Sequence, residues 1–455
     1  MRNNKEAFEE GPGLQRQLGL TETLSIVVNR IIGSGIFRTP APVMLITASV
    51  SIFYGVWILG GIATILAALC YAELVAMMPK SGGPYVFLKA AYPPVVTFLR
   101  GWAMFFVSET GAIAAVALFF SENAASLLEG GTNKYLVASM AIGIVVVLSA
   151  VNSLGIKLSG MLQNIFGLLK VGILILIVIT AFSKGINSQN FAASGSQTSA
   201  WASIVALFTA LRYCFFAYSG WEGATYVAEE VKNPSRNLPI SLFAGIGLVM
   251  LLYLLINSAY LNMLGPAQMG ASAAVAADSM KVAMGSSGAL LVVAAIMINT
   301  FSNVNTQIFV KSRTWFAMAR DGLFFGALAK VHPRHKTPNF SIIAQAGWAS
   351  VLILFATLAE SAYEAVIDYF SFTSSVFNIL TLVSVYILRK KQPDLPRPYR
   401  AWGYPYTLIA VVLIQVVFMI VTLITALVPS LLGIVLTTTG LLYYRYKVPE
   451  ELKQV

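Results

Sequence analysis

The sequence predicts an all-α integral membrane protein with twelve spanning helices. Of its 455 residues, 57% are hydrophobic, and the mean hydropathy is +0.76. Only 11% are charged, where a soluble domain carries about a quarter. The apolar residues also fall in long runs. One span needs about 20 of them and twelve need about 240, which matches the apolar share. An ordinary soluble protein and a disordered chain are both excluded.

The spans are expected at 21–46, 52–77, 96–121, 134–154, 159–182, 200–229, 239–264, 287–316, 340–360, 364–388, 405–427 and 429–446, the last two divided by little more than Pro429. The longer connections, 78–95, 183–199, 265–286, 317–339 and 389–404, read as loops. Residues 1–20 are polar and mixed in charge, which is no secretory signal. Cys70 and Cys214 both lie in apolar runs, and His332 and His335 share one polar loop. Neither pair makes a disulfide framework or a metal pattern, so no metal and no cofactor are expected.

The net charge of +11 would suggest nucleic acid in a soluble chain. Here its placement decides. With the N-terminus inside, 23 basic residues fall on the cytoplasmic side and only Lys134, Lys184 and Lys281 on the outer side; Arg30, Arg38, Lys170 and Arg212 lie within spans. That asymmetry predicts both termini in the cytoplasm. It makes the lipid bilayer the partner of the charge, with no role for nucleic acid.

Two spans carry interruptions. Gly33-Ser34-Gly35 sits near the middle of the first and Ser219-Gly220 near the middle of the sixth, 186 residues apart. Five spans at the average spacing account for that separation, so the breaks occupy matching places in two five-helix halves, expected at 21–182 and 200–388. Helices 11 and 12 (405–446) follow, with cytoplasmic tails at 1–20 and 447–455. Paired breaks of this kind point to a transporter site at the bilayer midplane. A broken helix presents amide donors that favour a carboxylate and carbonyls that favour an ammonium. An α-amino acid carries both groups on one carbon.

Charges within spans are costly and mark function. Lys170 lies about 11 residues from either end of span 5, roughly 16 Å by helical rise. Its side chain reaches about 6 Å, too short to snorkel out. It is expected to bridge the carbonyls unwound in span 1 and a hydroxyl such as Ser302 or Thr306, in the manner of a bound sodium ion. Glu222, two residues past Gly220, could carry a proton, pair with a base or hold a cationic substrate. Arg30 is expected to pair with Glu222 or Glu109. Tyr213, Phe215, Phe216, Tyr218 and Trp221 cluster at the second break, with Phe216 as an outer cap.

The run Ile31-Ile32-Gly33-Ser34-Gly35-Ile36-Phe37 resembles the first-helix signature of the amino acid–polyamine–organocation superfamily. Phe216-Ala217-Tyr218-Ser219-Gly220-Trp221-Glu222 and the following Glu229 to Pro239 resemble the sixth helix of L-type amino acid transporters. Tyr71-Ala72-Glu73-Leu74, Pro79 to Tyr85, Ala319-Arg320-Asp321-Gly322 and Arg397-Pro398-Tyr399-Arg400 are similar to inner-loop motifs of that branch. The resemblance covers nearly the whole chain. It implies a LeuT-like 5+5 inverted repeat with discontinuous helices 1 and 6. It implies a substrate carboxylate on the Ser34 and Gly35 amides, and a substrate amine on the carbonyls of Ile31, Phe216 and Ser219. Gly33, Ala217 and Gly220 complete the expected substrate set, and Phe216 is the implied gate.

Lys170 matches the helix-5 lysine that stands in for sodium, which implies a sodium-independent amino acid exchanger or proton-coupled symporter in the plasma (inner) membrane. The alternative is a cationic amino acid or polyamine transporter with Glu222 as substrate ligand. Arg30 and Glu109 depart from the pattern of the branch. The segment from Ser121 to Lys134 has no cysteine, so no disulfide-linked heavy chain is expected. An enzyme is disfavoured, because the spans hold no nucleophile–base set.

Overall fold

A computed structural model describes residues 14–125, 133–183, 185–192, 199–272, 274–357, 362–425 and 427–449. The chain is helical throughout. The first crossing consists of three pieces, α1 (Leu20–Ile31), α2 (Gly35–Arg38) and α3 (Pro40–Thr47). Then come α4 (Val50–Met77), α5 (Pro84–Ala91), α6 (Pro94–Ala103), a π-helical turn (Met104–Ser108), α7 (Glu109–Ala125), α8 (Lys134–Ser153), α9 (Ile156–Phe182) and α10 (Ala200–Tyr218). A 3₁₀ segment (Trp221–Glu230) completes the sixth crossing. The rest are α11 (Pro234–Ala271), α12 (Val275–Met284), α13 (Ser286–Arg320), α14 (Asn339–Ala356), α15 (Ala362–Lys391), α16 (Tyr406–Thr425) and α17 (Leu427–Lys447).

Eleven of these segments are long and apolar enough to cross a membrane. The broken first crossing makes the twelfth. The architecture is thus the expected all-α membrane fold with discontinuous helices 1 and 6. Two connections expected as loops contain helices instead. Residues 78–95 include α5, and 265–286 include α12 after a kink in α11 at Gly265. Both helices are too short to span, so no hydropathy run marks them. Pro84 starts α5 where a missing N–H costs nothing.

The interior is built around α1. It packs against α9, α11, α13 and the 3₁₀ segment, while α4 lies along α10 and α11. At one end of the bundle the chain before α1 is strapped down. The amides of Gln17 and Leu18 donate to Glu230 O at 2.9 Å each, and Lys232 N donates to Leu18 O at 2.8 Å. Glu230 is also bound by Arg313 through both carboxylate oxygens at 2.8 and 3.2 Å, with neither side chain exposed. Glu73 accepts two bonds from Arg389 and one from the Ala401 amide, and Arg320 grips Glu229.

Three residues counted on the cytoplasmic side belong inside the protein. Lys311 and Arg313 are fully buried on α13, and Arg100 is 2% exposed on α6. Each lies within two or three turns of a helix end, where a run of sequence reads the same whether the side chain turns outward or into the bundle.

Candidate functional site

The two breaks meet backbone against backbone. The chain is non-helical over residues 32–34 and resumes as α2 at Gly35. In the sixth crossing, Ser219 is extended and Gly220 takes φ +93° before the 3₁₀ segment. A Cβ on Gly35 would lie 2.7 Å from Ala217 Cα, and one on Gly220 2.8 Å from Arg30 O. Gly220 therefore needs both the missing side chain and the left-handed backbone. A Gly220→Ala variant is expected to lose at least about tenfold in uptake, since strain of this kind costs on the order of 1–3 kcal/mol. Uptake above half the wild-type rate would contradict this close approach.

The carbonyls freed at the end of α1 all have partners. Lys170 Nζ donates to Asn29 O at 2.8 Å and to Ile32 O at 2.7 Å. Asn303 Nδ2 reaches Asn29 O at 3.1 Å and Arg30 O at 2.9 Å. Tyr253 Oη lies 3.2 Å from Ile31 O and 3.0 Å from Ala217 O, joining the two breaks. Phe216 O accepts from the Ser219 amide at 3.1 Å and the Ser219 hydroxyl at 2.8 Å. Of the carbonyls expected to hold an amine, those of Ile31 and Phe216 thus already accept bonds within the protein: Ile31 O keeps a second lone pair, while Phe216 O accepts two bonds, both from Ser219.

Lys170 is buried on α9 and spans two carbonyls of the first break. The expected hydroxyl bridge differs. Ser302 Oγ donates to Asn29 Oδ1 at 3.4 Å, and Thr306 Oγ1 donates to Gln163 Oε1 at 2.7 Å. Asn29 also donates to Gln163. The hydroxyls therefore brace the ligands of Lys170 rather than the ammonium itself.

Arg30 meets Glu109, with Nη2 at 3.3 Å from Oε2. Glu109 heads α7 directly after the π-helical turn, an insertion that rotates the following helix and is frequent at functional sites. Lys311, on α13, contacts Glu109 Oε2 and sits 3.7 Å from Glu222 Oε1. It also donates to Tyr226 Oη at 3.1 Å. Two bases and two carboxylates thus form one chain, Arg30–Glu109–Lys311–Glu222, with Lys311 its middle link. Arg212 turns to Tyr213 Oη at 2.7 Å.

A cavity of about 680 Å³ opens between the breaks. Ile31, Gly33, Ser34 and Gly35 line one side and Phe216, Ser219 and Gly220 the other. Arg30, Glu109 and Glu222 also reach it, and so do Arg100, Ser108, Asn303, Gln307 and Phe418. Ala217 does not. It is 1% exposed and packs against Gly35. Lys170 and Ser302 lie behind the lining, fully buried. Lys311, Tyr253 and Asn303 escaped the sequence reading. Asn303 and Tyr253 are ordinary polar residues within apolar runs, and only their aim at the break gives them meaning. For Lys311 a signal existed, since it falls inside the expected span 287–316.

Residues 18–446 match the family described as amino acid permease. The chain is 32% identical over 398 residues to the b(0,+)-type amino acid transporter 1 of Oryctolagus cuniculus, covering 85% of this chain and 79% of that relative. The protein of the same name from Homo sapiens matches at the same identity and coverage. The large neutral amino acids transporter small subunit 2 of Mus musculus is 32% identical over 404 residues, or 86% of this chain and 73% of the relative. The name of that last relative, a small subunit, gives no support to the expectation that this chain has no heavy partner, although Cys70 and Cys214 are both buried. With two broken helices enclosing a polar cavity and a match over almost its whole length, this chain belongs to the amino acid permease family of the amino acid–polyamine–organocation superfamily, a family of membrane transporters and not of enzymes.

Proposed function

We propose that this protein is a sodium-independent secondary transporter of α-amino acids that works by alternating access, as an exchanger or a proton-coupled symporter. The Lys170 ammonium carries the reading. It holds the Asn29 and Ile32 carbonyls at 2.8 and 2.7 Å, so a fixed cation already occupies the place beside the first break that a sodium ion would take. The substrate carboxylate then lies on the amides that open α2, at Ser34 and Gly35. Its amine takes the remaining lone pairs of the Ile31 and Ser219 carbonyls and displaces the Ser219 hydroxyl from Phe216 O, and Phe216 closes the cavity. The halves 21–182 and 200–388 rock about this site. The protein sits in the plasma membrane with both termini in the cytoplasm. A cationic substrate on Glu222 has less support, because Glu222 already faces Lys311.

Proteoliposome uptake of a radiolabelled amino-acid panel tests the reading. Uptake is expected to be unchanged when choline replaces sodium. Acceleration by internal amino acid identifies an exchanger, and acceleration by external acid a symporter. A sodium requirement would overturn the role given to Lys170.

A further inference from the structure

The charges around the cavity do not balance. Arg30, Arg38, Arg100 and Arg212 line it and Lys311 reaches in from behind, while only two carboxylates, Glu109 and Glu222, are in the lining. Glu109 is shared by Arg30 and Lys311, and Glu222 faces Lys311. Arg100 has no ion-pair partner among the described residues. It is 2% exposed, lines the cavity, and its Nε has no hydrogen-bond partner. Its guanidinium rests near the Phe377 ring, 5.5 Å from the centroid. A ring face offers an arginine far less than a carboxylate does. A buried guanidinium without an anion in contact is costly.

The same cavity holds two further unused polar atoms, Ser108 Oγ and Gln307 Oε1, both buried and without partners. The Ser108 hydroxyl can donate to a ligand, whereas Gln307 Oε1 only accepts, its Nε2 already donating to Asn303 Oδ1 at 2.7 Å. Lys170 does not contribute to the imbalance, since it lies behind the lining and is spent on carbonyls.

We propose that the transported amino acid has an acidic side chain, and that Arg100 binds its carboxylate. The proposal rests on the transporter reading above and names its substrate class. The α-carboxylate and α-amine of any amino acid are zwitterionic and leave the excess charge unchanged. A second carboxylate reduces it and gives Arg100 a bidentate partner. The site then rejects a neutral analogue by leaving Arg100 unpaired, the strongest form of discrimination open to a polar site.

Competition in proteoliposomes tests this without any variant. Glutamate and aspartate are expected to be taken up and to compete for uptake better than leucine, alanine or lysine. Uptake of neutral amino acids with no competition from either acid would overturn the proposal and leave the transporter reading standing. So would neutral uptake that depends on chloride, because the anion at Arg100 would then be inorganic. No uptake of any amino acid would overturn both. In an Arg100→Gln variant the ratio of glutamate to alanine uptake is expected to fall at least about tenfold, with partial recovery in Arg100→Lys. An unchanged ratio counts against the assignment. If the variant does not fold, the competition profile of the wild type decides.

Discussion

A Lys170→Met variant is expected to lose uptake to below about a tenth of wild type, because two charge-assisted hydrogen bonds worth roughly 1.5–3 kcal/mol each disappear together. Those bonds tie α9 to the first break at Asn29 O and Ile32 O. Methionine fills the volume, so the loss reads the charge and not a cavity. Without the ammonium, the Ile32 carbonyl has no partner at the point where the helix must stay unwound. The cheapest escape is for the break to rewind or tilt, which moves the Ser34 and Gly35 amides away from the cavity. Lys170→Arg is expected to fail as well. A planar guanidinium does not fit two carbonyls that converge on a point charge. Uptake measured on protein that remains monodisperse in detergent checks both variants. A Lys170→Met protein with more than half of wild-type uptake would remove the argument for sodium independence.

The second large effect is expected at Glu109. Arg30 and Lys311 both depend on it, and Lys311 is fully buried. A Glu109→Gln change leaves two cations sharing Glu222 alone. Breaking a buried pair by removing one partner costs about 3–5 kcal/mol, because the other charge stays behind. The variant is expected to unfold at markedly lower temperature than wild type and to lose uptake. A compensating change separates charge from shape. Glu109→Gln combined with Lys311→Met removes one carboxylate and one base together and is expected to regain most of the stability. The interaction energy from the double-mutant cycle measures the coupling. Additive losses would mean that the four groups do not act as one network.

Much of this site was legible in the sequence, and the reason is the bilayer. Hydrocarbon offers the backbone no hydrogen-bond partner, so the chain must write its helices as long apolar runs and can break them only where they line a cavity. Gly33-Ser34-Gly35 and Ser219-Gly220 were readable for that reason. Lys170 was readable because its depth in span 5 left it no route to water. The cost of an isolated charge called for Arg30 to pair with Glu222 or Glu109, and the fold chose Glu109.

What the sequence could not express is the rotation of each helix about its axis. Lys311, three turns from the end of α13, reads as one more base near a cytoplasmic boundary. Only the packing of α13 against α7 and the 3₁₀ segment turns it between Glu109 and Glu222. Arg100 reads as a flanking residue of span 3. The fold buries it and leaves it facing the cavity without an anion. Tyr253 becomes the link between the breaks only because α11 crosses both. By itself the sequence determined the crossings, the two breaks and the deep lysine, since each answers to a local demand of the membrane. The tertiary structure alone decided which charges meet and that Arg100 is left without an anion in contact, because that depends on side-chain directions set by helices far apart in the chain.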